Sequence, residues 1–465
     1  MPNEDYDFSF NESCVMRIFT LLNRQQKEAV GLLQIGTFLE YFDLMLYVHM
    51  AVLLNELFFP KTDPHTTALL AALAFCSTFV LRPFGALLFG YIGDHIGRRS
   101  TVIITTMMMS ISCLAMATLP TYAQIGITAS WVVTICRMLQ GLSSMGEIMG
   151  AQIYITEITK PPAQYVAVSL IVLSSTLGGV AALGLASFVT HVSMDWRLGF
   201  WAGAAIAVVG SLARTTLRET PEFVDMKRKK QIEIDRACIN NKKKKVSLEK
   251  LEKEVSQSVI PLKTFMASFF IECPPPFIFY LVFIYFNPLL QSFGYSTSDI
   301  IYHNFILSFI YPIYIGIIIF LVTRVHPLKI LRFKSWYFFS LMLILPFAIT
   351  YATSNKHIFL LQAFLMICQG VTPAGAILIK WFPVCRRFTV TTLIYALTRA
   401  CVHVITSFGL IYLTKWMGYW GIWIIAFPAI IGLLWGVRYF EKLEGLRGVV
   451  ATNNFSGKNQ VPVHL

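Results

Sequence analysis

Charged residues are scarce in this sequence. Only 14% of its 465 residues are Asp, Glu, Lys or Arg, whereas 56% are hydrophobic, and the mean hydropathy is +0.62. A soluble domain of ordinary composition carries about 25% charged residues, so the composition excludes an ordinary soluble protein and predicts an integral membrane protein. Acidic residues number 25 against 38 basic ones, a formal net charge of +13. Most of the basic residues lie between apolar runs, which indicates membrane topology and not nucleic-acid binding.

Signatures of common enzymes and of metal sites are also missing. The chain has no G-x-x-x-x-G-K-[ST] phosphate loop, no H-E-x-x-H and no nucleophile elbow, so neither an enzyme nor the use of ATP is indicated. Its nine cysteines are scattered, without C-x-x-C or a Cys/His cluster. This pattern favours neither a disulfide framework nor a metal site, and we predict no cofactor.

Long apolar runs, by contrast, recur along the chain. A helix needs about 20 apolar residues to cross the roughly 30 Å hydrocarbon core, and twelve segments meet that length. Lys and Arg concentrate in alternate loops, as they do in cytoplasmic loops of membrane proteins, so both ends of the chain are predicted to lie inside. The predicted spans are 29–57, 65–92, 101–120, 124–153, 163–190, 197–216, 262–291, 299–323, 333–353, 357–381, 388–414 and 419–440.

One long polar segment divides these spans into two sets of six. It contains two basic runs, 227–230 and 242–245, and it is interpreted as a cytoplasmic tether or, alternatively, as a contact for anionic lipid headgroups. The N-terminus lacks the pattern of a cleavable signal peptide. The predicted organisation is a cytoplasmic N-terminus (1–28), a six-helix half (29–216), a basic cytoplasmic linker (217–261), a second six-helix half (262–440) and a cytoplasmic tail (441–465).

Ionisable residues in the first half point to a functional site. Each costs about 2.5–3.5 kcal/mol inside a membrane helix on insertion scales, so each needs a reason. Glu40, Asp43 and Tyr47 share one helical face, and two carboxylates so near each other at low dielectric fit proton binding or a cationic group. The alternative is simple pairing with an arginine. Arg137, with Gln140 on the same face, is the natural partner of a carboxylate or of an anionic substrate group.

Polar residues are fewer in the second half. Tyr395, Arg399 and His403 recur every four residues on one face of the eleventh span, and Arg399 is predicted to contact an anion. His403 is interpreted either as a titrating group or as a structural, hydrogen-bonded residue. Glu272 precedes prolines 274–276, which must break or bend the helix, and it lies either beside a cavity or at the lipid interface.

The stretch 81–99, LRPFGALLFGYIGDHIGRR, joins two spans through a short charged turn. Its glycines are expected to let helices approach closely. Asp94 is expected to accept hydrogen bonds from free amide groups or from an arginine, while Arg98 and Arg99 stay in water on the inner side. Arg82 is interpreted equally as a charge on the transport pathway and as a side chain that extends to the interface.

Four segments carry a resemblance to a known family. GTFLEYFDLMLY, the 81–99 stretch, RMLQGLSSMGE, and WRLGF followed by LRETPEF resemble the metabolite:H+ symporter branch of the major facilitator superfamily, which includes proline/betaine, shikimate, α-ketoglutarate and citrate carriers. The resemblance is specific over about residues 29–223 and thins beyond the linker, where Ala396 replaces the usual Asn. It implies an all-α membrane protein of twelve transmembrane helices in two six-helix halves.

The resemblance also implies a function. We expect a monomeric, proton-coupled symporter in a bacterial inner membrane, importing a small polar metabolite such as a proline- or betaine-like zwitterion, or a small carboxylate, by alternating access. Two alternatives are an uncoupled facilitator or exchanger and a transporter-like sensor that moves no solute. Its partners would be the solute, protons and the lipid bilayer. The expected residues are Glu40 and Asp43 for proton coupling, Arg137, Gln140, Tyr47, Tyr395 and Arg399 for substrate binding, and Gly90, Asp94, Gly97, Arg98, Arg99 and Glu147 for gating.

Overall fold

The computed structural model describes residues 22–58, 79–192, 195–215, 219–220, 223–228, 231–232 and 260–454, and within these ranges it contains helices and no strand. The all-α prediction is confirmed. Seven helical stretches of the described chain are long and apolar enough to cross a membrane, and one of them, Arg387–Gly445, covers two predicted spans. The first-half helices are α1 (Arg24–Phe58), α2 (Arg82–His95), α3 (Arg98–Thr118), α4 (Ile127–Ile158), α5 (Ala163–Val192) and α6 (Arg197–Arg214).

The second-half helices are more often interrupted. The predicted proline break is confirmed, because α7 ends at Glu272 and α8 begins at Pro274. A second break, between Cys368 and Gly375, was not predicted, and within it Gly370 has a φ of +78° that favours glycine. The helices are α7 (Leu262–Glu272), α8 (Pro274–Tyr280), α9 (Asn287–Ser292), α10 (Thr297–Ser308), α11 (Ile310–Leu321), α12 (Pro327–Thr350), α13 (Asn355–Cys368), α14 (Gly375–Lys380), α15 (Arg387–Met417) and α16 (Gly421–Asn454).

The apolar surface of α3 shows how these helices meet lipid. Its buried residues and its exposed large apolar residues both recur every three or four positions, so they occupy opposite faces of the helix. Such an exposed apolar stripe is costly in water and suits the hydrocarbon core of a bilayer. The exposed residues of this stripe are Ile104, Met107, Ile111 and Leu114.

Small residues let the helices of the two halves approach closely. A Cβ on Gly85 would lie 2.7 Å from the Leu142 carbonyl oxygen of α4, and a Cβ on Gly90 would lie 2.7 Å from Cα of Thr389 on α15. The close approach expected at this stretch is therefore confirmed, and at Gly90 it joins the first half to the second. The halves also meet where α5 packs on α10 and α11. The interface between the halves encloses the cavity described next.

Candidate functional site

A cavity of about 140 Å³ lies between the two halves. An adjoining cavity of about 130 Å³ shares Tyr41, Tyr311, Tyr395 and Arg399 with it, so the two form a connected space with one polar wall. Helices α1, α2 and α5 supply one side, and α8, α10, α11 and α15 supply the other. Apart from aromatic and aliphatic groups, the combined lining includes Arg82, Gln152, Ser175, Thr176, Glu272, Ser308, Gln369, Arg399 and His403.

A chain of polar contacts crosses this space from one half to the other. The hydroxyl groups of Tyr41 and Tyr395 are 3.1 Å apart. The guanidinium carbon of Arg399 lies 3.1 Å from the centre of the Tyr395 ring, and its Nη1 donates to Glu272 Oε2 at 3.2 Å. The structure thus places Tyr395 and Arg399, two predicted binding residues, in the cavity wall, and it places Glu272 beside the cavity and not at the lipid interface.

Arg82 lies in the same wall. It is 3% exposed, and its guanidinium carbon stands 4.4 Å from the centre of the Phe79 ring. Helix α2 begins at this residue after a turn at Leu81, and Pro83 occupies the first turn, where a missing amide proton costs nothing. Of the two interpretations of Arg82, the structure favours a charge on the pathway, because the side chain does not extend to the interface.

Asp43 and Arg137 are brought together deep in the first half. Gln140 bridges them: its Nε2 donates to Asp43 Oδ2 at 2.9 Å, and its Oε1 accepts from Arg137 Nη1 at 2.9 Å. Each of these side chains is buried, and the Cys113 thiol also donates to Asp43. The three residues are not among those that line the cavity. In this structure, Gln140 therefore links the charges of Asp43 and Arg137 away from the cavity lining.

Glu40 connects this cluster to the cavity along α1. It is 3% exposed and interacts electrostatically with Arg82 and Tyr41, which line the cavity. Glu40 and Asp43 therefore lie between two different cationic groups, Arg82 and Arg137. Two further predicted residues, Tyr47 and Glu147, lie in α1 and α4, but their side chains fall outside the described part of the chain.

The charged turn after α2 joins the halves at what is predicted to be the cytoplasmic end. The Asp94 carboxylate accepts from the amide groups of Phe388 at 3.2 Å and Thr389 at 2.9 Å, and from the Thr389 hydroxyl at 2.7 Å. These amide groups lie in the first turn of α15, where helices leave N–H groups without intrahelical partners. The expectation that Asp94 accepts from free amide groups is confirmed, and the helix it caps belongs to the second half.

Arg98 contradicts the prediction that it stays in water, because its side chain is buried and 0% exposed. Its guanidinium donates to the Val384 carbonyl at 2.9 Å and to Glu157 at 3.3 Å, and it lies 3.3 Å from Asp94. Burial of this charge is possible because carboxylates and carbonyls surround it. Arg99, by contrast, is exposed, as expected.

Glu157 is the centre of this inner cluster. It is buried between Arg98 and Arg387, whose Nη1 lies 3.2 Å from Glu157 Oε1. Its second oxygen accepts from the Thr220 hydroxyl at 2.7 Å. Sequence reasoning missed this role because the partner Arg387 is 230 positions away in the chain. We name Asp94, Arg98, Glu157 and Arg387 the inner ionic cluster.

The first residues of the linker complete the inner ionic cluster. Glu219 accepts from the backbone amides of Arg98 at 3.0 Å and Arg99 at 3.3 Å, so it caps α3 as Asp94 caps α15. The carboxylate also stands where a Cβ on Gly97 would project, and Gly97 has a φ of +149°. Glycine at position 97 therefore permits the positive φ of the turn and leaves room for the Glu219 carboxylate that caps α3.

Comparisons with a family model and with curated relatives agree on one protein family. The family model described as Major Facilitator Superfamily matches residues 33–368. The chain is 32% identical over 204 residues to a proline/betaine transporter of Salmonella typhimurium, covering 42% of this chain and 41% of the relative. It is 33% identical over 239 residues to the inner membrane metabolite transport protein YhjE of Escherichia coli, covering 50% and 54%. The matches span about half the length of these relatives.

Solved structures agree in fold. The proton:xylose symporter XylE bound to 6-bromo-6-deoxy-D-glucose superposes with a TM-score of 0.70 at 17% identity, covering 89% of this chain and 96% of that one. The human organic anion transporter MFSD10 gives a TM-score of 0.61 at 14% identity, covering 89% and 99%. At these identities the likeness concerns the fold alone.

Proposed function

Because this chain belongs to the major facilitator superfamily, we propose that it is a secondary transporter that couples proton entry to the import of a small polar solute. The cavity between the halves carries the proposal. It lies on the interface between two helical bundles and is lined by side chains of both, which is where alternating-access carriers hold their solute while one bundle moves against the other.

The charges of the cavity favour a solute that bears a carboxylate. Two guanidinium groups line the space, and the carboxylate of Glu272 is already paired with one of them, Arg399. Guanidinium groups bind carboxylates through paired hydrogen bonds. The similar proteins named for proline, betaine and general metabolites support the same class: a small zwitterion or a small organic acid.

Proton coupling is assigned to Glu40 and Asp43. Protonation of Asp43 would weaken its interaction with the Gln140–Arg137 pair, and protonation of Glu40 would weaken its interaction with Arg82. A neutral Glu40 leaves more of the positive field of Arg82 for an anionic solute. Loss of the proton toward the inside would then restore the original pairing and help to release the solute.

Gating is assigned to the inner ionic cluster together with Gly90, Gly97 and Arg99. Asp94 caps a helix of the opposite half, and Glu157 holds one arginine from each half. These contacts must separate before the cavity can open at this end. Since they connect the halves directly, they are a latch whose release accompanies inward opening.

Transport assays in proteoliposomes test the proposed function. With an imposed pH step, uptake of labelled proline and of labelled betaine is measured alone and in competition with shikimate, oxoglutarate and citrate. Accumulation that requires the pH step and disappears with a protonophore is expected for one of these solutes. Uptake that persists without the proton gradient would identify a facilitator, and binding without flux would identify a sensor.

The ion pair in the cavity yields a further prediction. Arg399→Met is expected to lower the exchange rate on the order of 100-fold, because removing one partner of this partly buried pair leaves the charge of the other uncompensated in the cavity wall. Adding Glu272→Gln should recover most of the loss, since the two residues interact directly at 3.2 Å. Counterflow of the transported solute measures both variants. A double variant as slow as the single one would mean that Arg399 contacts the solute itself.

A further inference from the structure

We propose that Arg82, and not Arg137, is the receptor for the carboxylate of the solute, and that the solute is a monocarboxylate whose cationic end is a quaternary or secondary ammonium. The inference rests on the proposed function, because it names the substrate class of the same cavity. It concerns binding at equilibrium, so it can be tested without transport.

The first argument is the state of the guanidinium. Arg82 is 3% exposed, and its Nε and Nη2 have no hydrogen-bond partner within the described part of the chain. A buried donor without a partner costs about 1–3 kcal/mol, and more when the group is charged. The Phe79 ring covers one face of the guanidinium, yet ring contact leaves the N–H donors in the plane unused. A bound carboxylate would satisfy them.

The second argument is a comparison with the other arginines. Arg399 lines the same cavity but donates to Glu272 and stacks on the Tyr395 ring. Arg137 donates to Gln140 beside Asp43 and does not line the cavity. Of the two arginines in the described cavity wall, Arg82 is thus the one whose buried N–H donors have no hydrogen-bond partner.

The third argument concerns the rest of the solute. A second carboxylate on the solute would have to compete with Glu272 for Arg399, the other guanidinium of the cavity lining. The cavity lining also presents the rings of Phe279 and Phe283. Aromatic faces attract quaternary ammonium groups through cation–π interactions. These walls therefore suit an ammonium whose nitrogen carries several carbon substituents better than a primary ammonium, which needs several hydrogen-bond acceptors.

Equilibrium binding to the purified full-length protein in detergent tests the inference. The probes are glycine betaine and its alcohol counterpart choline, proline and its alcohol counterpart prolinol, and the dicarboxylate oxoglutarate. Wild type is expected to bind at least one zwitterion more tightly than its alcohol counterpart and than oxoglutarate. Arg82→Gln should weaken binding of that zwitterion on the order of 100-fold, as expected for loss of charge-assisted hydrogen bonds, and Arg82→Lys should be intermediate. Arg197→Gln, a partly exposed arginine outside the cavity lining, is the matched control and should bind like wild type.

Each outcome decides the question. Loss in Arg82→Gln with partial retention in Arg82→Lys, in proteins that melt at the wild-type temperature, supports the assignment. Equal loss in the Gln and Lys variants, unchanged affinity in Arg82→Gln, or failure of wild type to bind either zwitterion overturns it. Failure of the proposed function looks different: wild type would bind the zwitterion and show the Arg82 dependence, but would not accumulate it under a pH step.

Discussion

Asp43→Asn is expected to abolish uphill accumulation of the solute while leaving counterflow exchange intact. Asparagine keeps the shape of the side chain and an oxygen that can accept the hydrogen bond from Gln140, but it can neither carry a negative charge nor bind the coupling proton. With one proton per solute, a pH step of one unit supports about tenfold accumulation. The accumulation ratio of the variant should fall to unity. Proteoliposome uptake with an imposed pH step measures it.

The matched control for this variant is Asp195→Asn. Asp195 is exposed and lies before α6, where it contacts Arg197, so neutralising it should leave the accumulation ratio unchanged. Counterflow separates the two parts of the mechanism, because exchange needs solute binding and conformational change but no net proton movement. An Asp43→Asn protein that still concentrates the solute would remove this residue from proton coupling and leave Glu40 as the remaining candidate on α1.

The first-half assignments could be made from the sequence because the relevant signals are local. Glu40 and Asp43 are charged residues in an apolar run, and helical periodicity alone places Gln140 beside Arg137. The meeting of Asp43 with Arg137 across α1 and α4 followed from the need of each buried charge for a partner, and the structure shows it through Gln140. Helical periodicity does not show which way this face points, and in the structure it points away from the cavity.

The cavity itself depends on contacts that sequence spacing cannot supply. Tyr41 and Tyr395 meet although they are 354 positions apart, and Arg82 reaches the cavity because a turn at Leu81 starts α2 at that residue. The sequence offered one usable hint, an arginine directly before a proline within an apolar run. The break between α13 and α14 had a similar hint in Gly370 and Pro373, which stand within a predicted continuous span.

Buried charges at the inner end were misjudged for a physical reason. Positive residues in a short loop are ordinarily solvated, and by that rule Arg98 should be exposed. Here the two halves pack against each other over the loop. Asp94, Glu157 and the Val384 carbonyl therefore replace water around the Arg98 guanidinium. The contacts come from both halves, so the desolvation is a property of their docking.

Replacing Glu157 by Gln is therefore expected to have a large effect on stability. The change leaves the guanidinium groups of Arg98 and Arg387 together without the carboxylate that holds both, and removing one partner of a buried ionic group costs about 3–5 kcal/mol. Because Asp94 still offsets part of the Arg98 charge, the uncompensated positive charge should lie mainly on Arg387. Since Arg387 lies on α15, the same change should weaken the latch and favour opening at the inner end.

Thermal unfolding of the purified variants measures this effect. Glu441→Gln is the control, because Glu441 pairs with Arg332 at 3.4 Å in a partly exposed pair, and such pairs contribute about 0–1 kcal/mol. The double variant Glu157→Gln/Arg387→Gln should melt closer to wild type than Glu157→Gln alone, because it removes the uncompensated charge together with its partner. A Glu157→Gln protein that melts like Glu441→Gln would show that the inner ionic cluster does not hold the halves together. Gating would then have to reside in the apolar contacts of Gly90 with Thr389 and of Gly93 with Phe388.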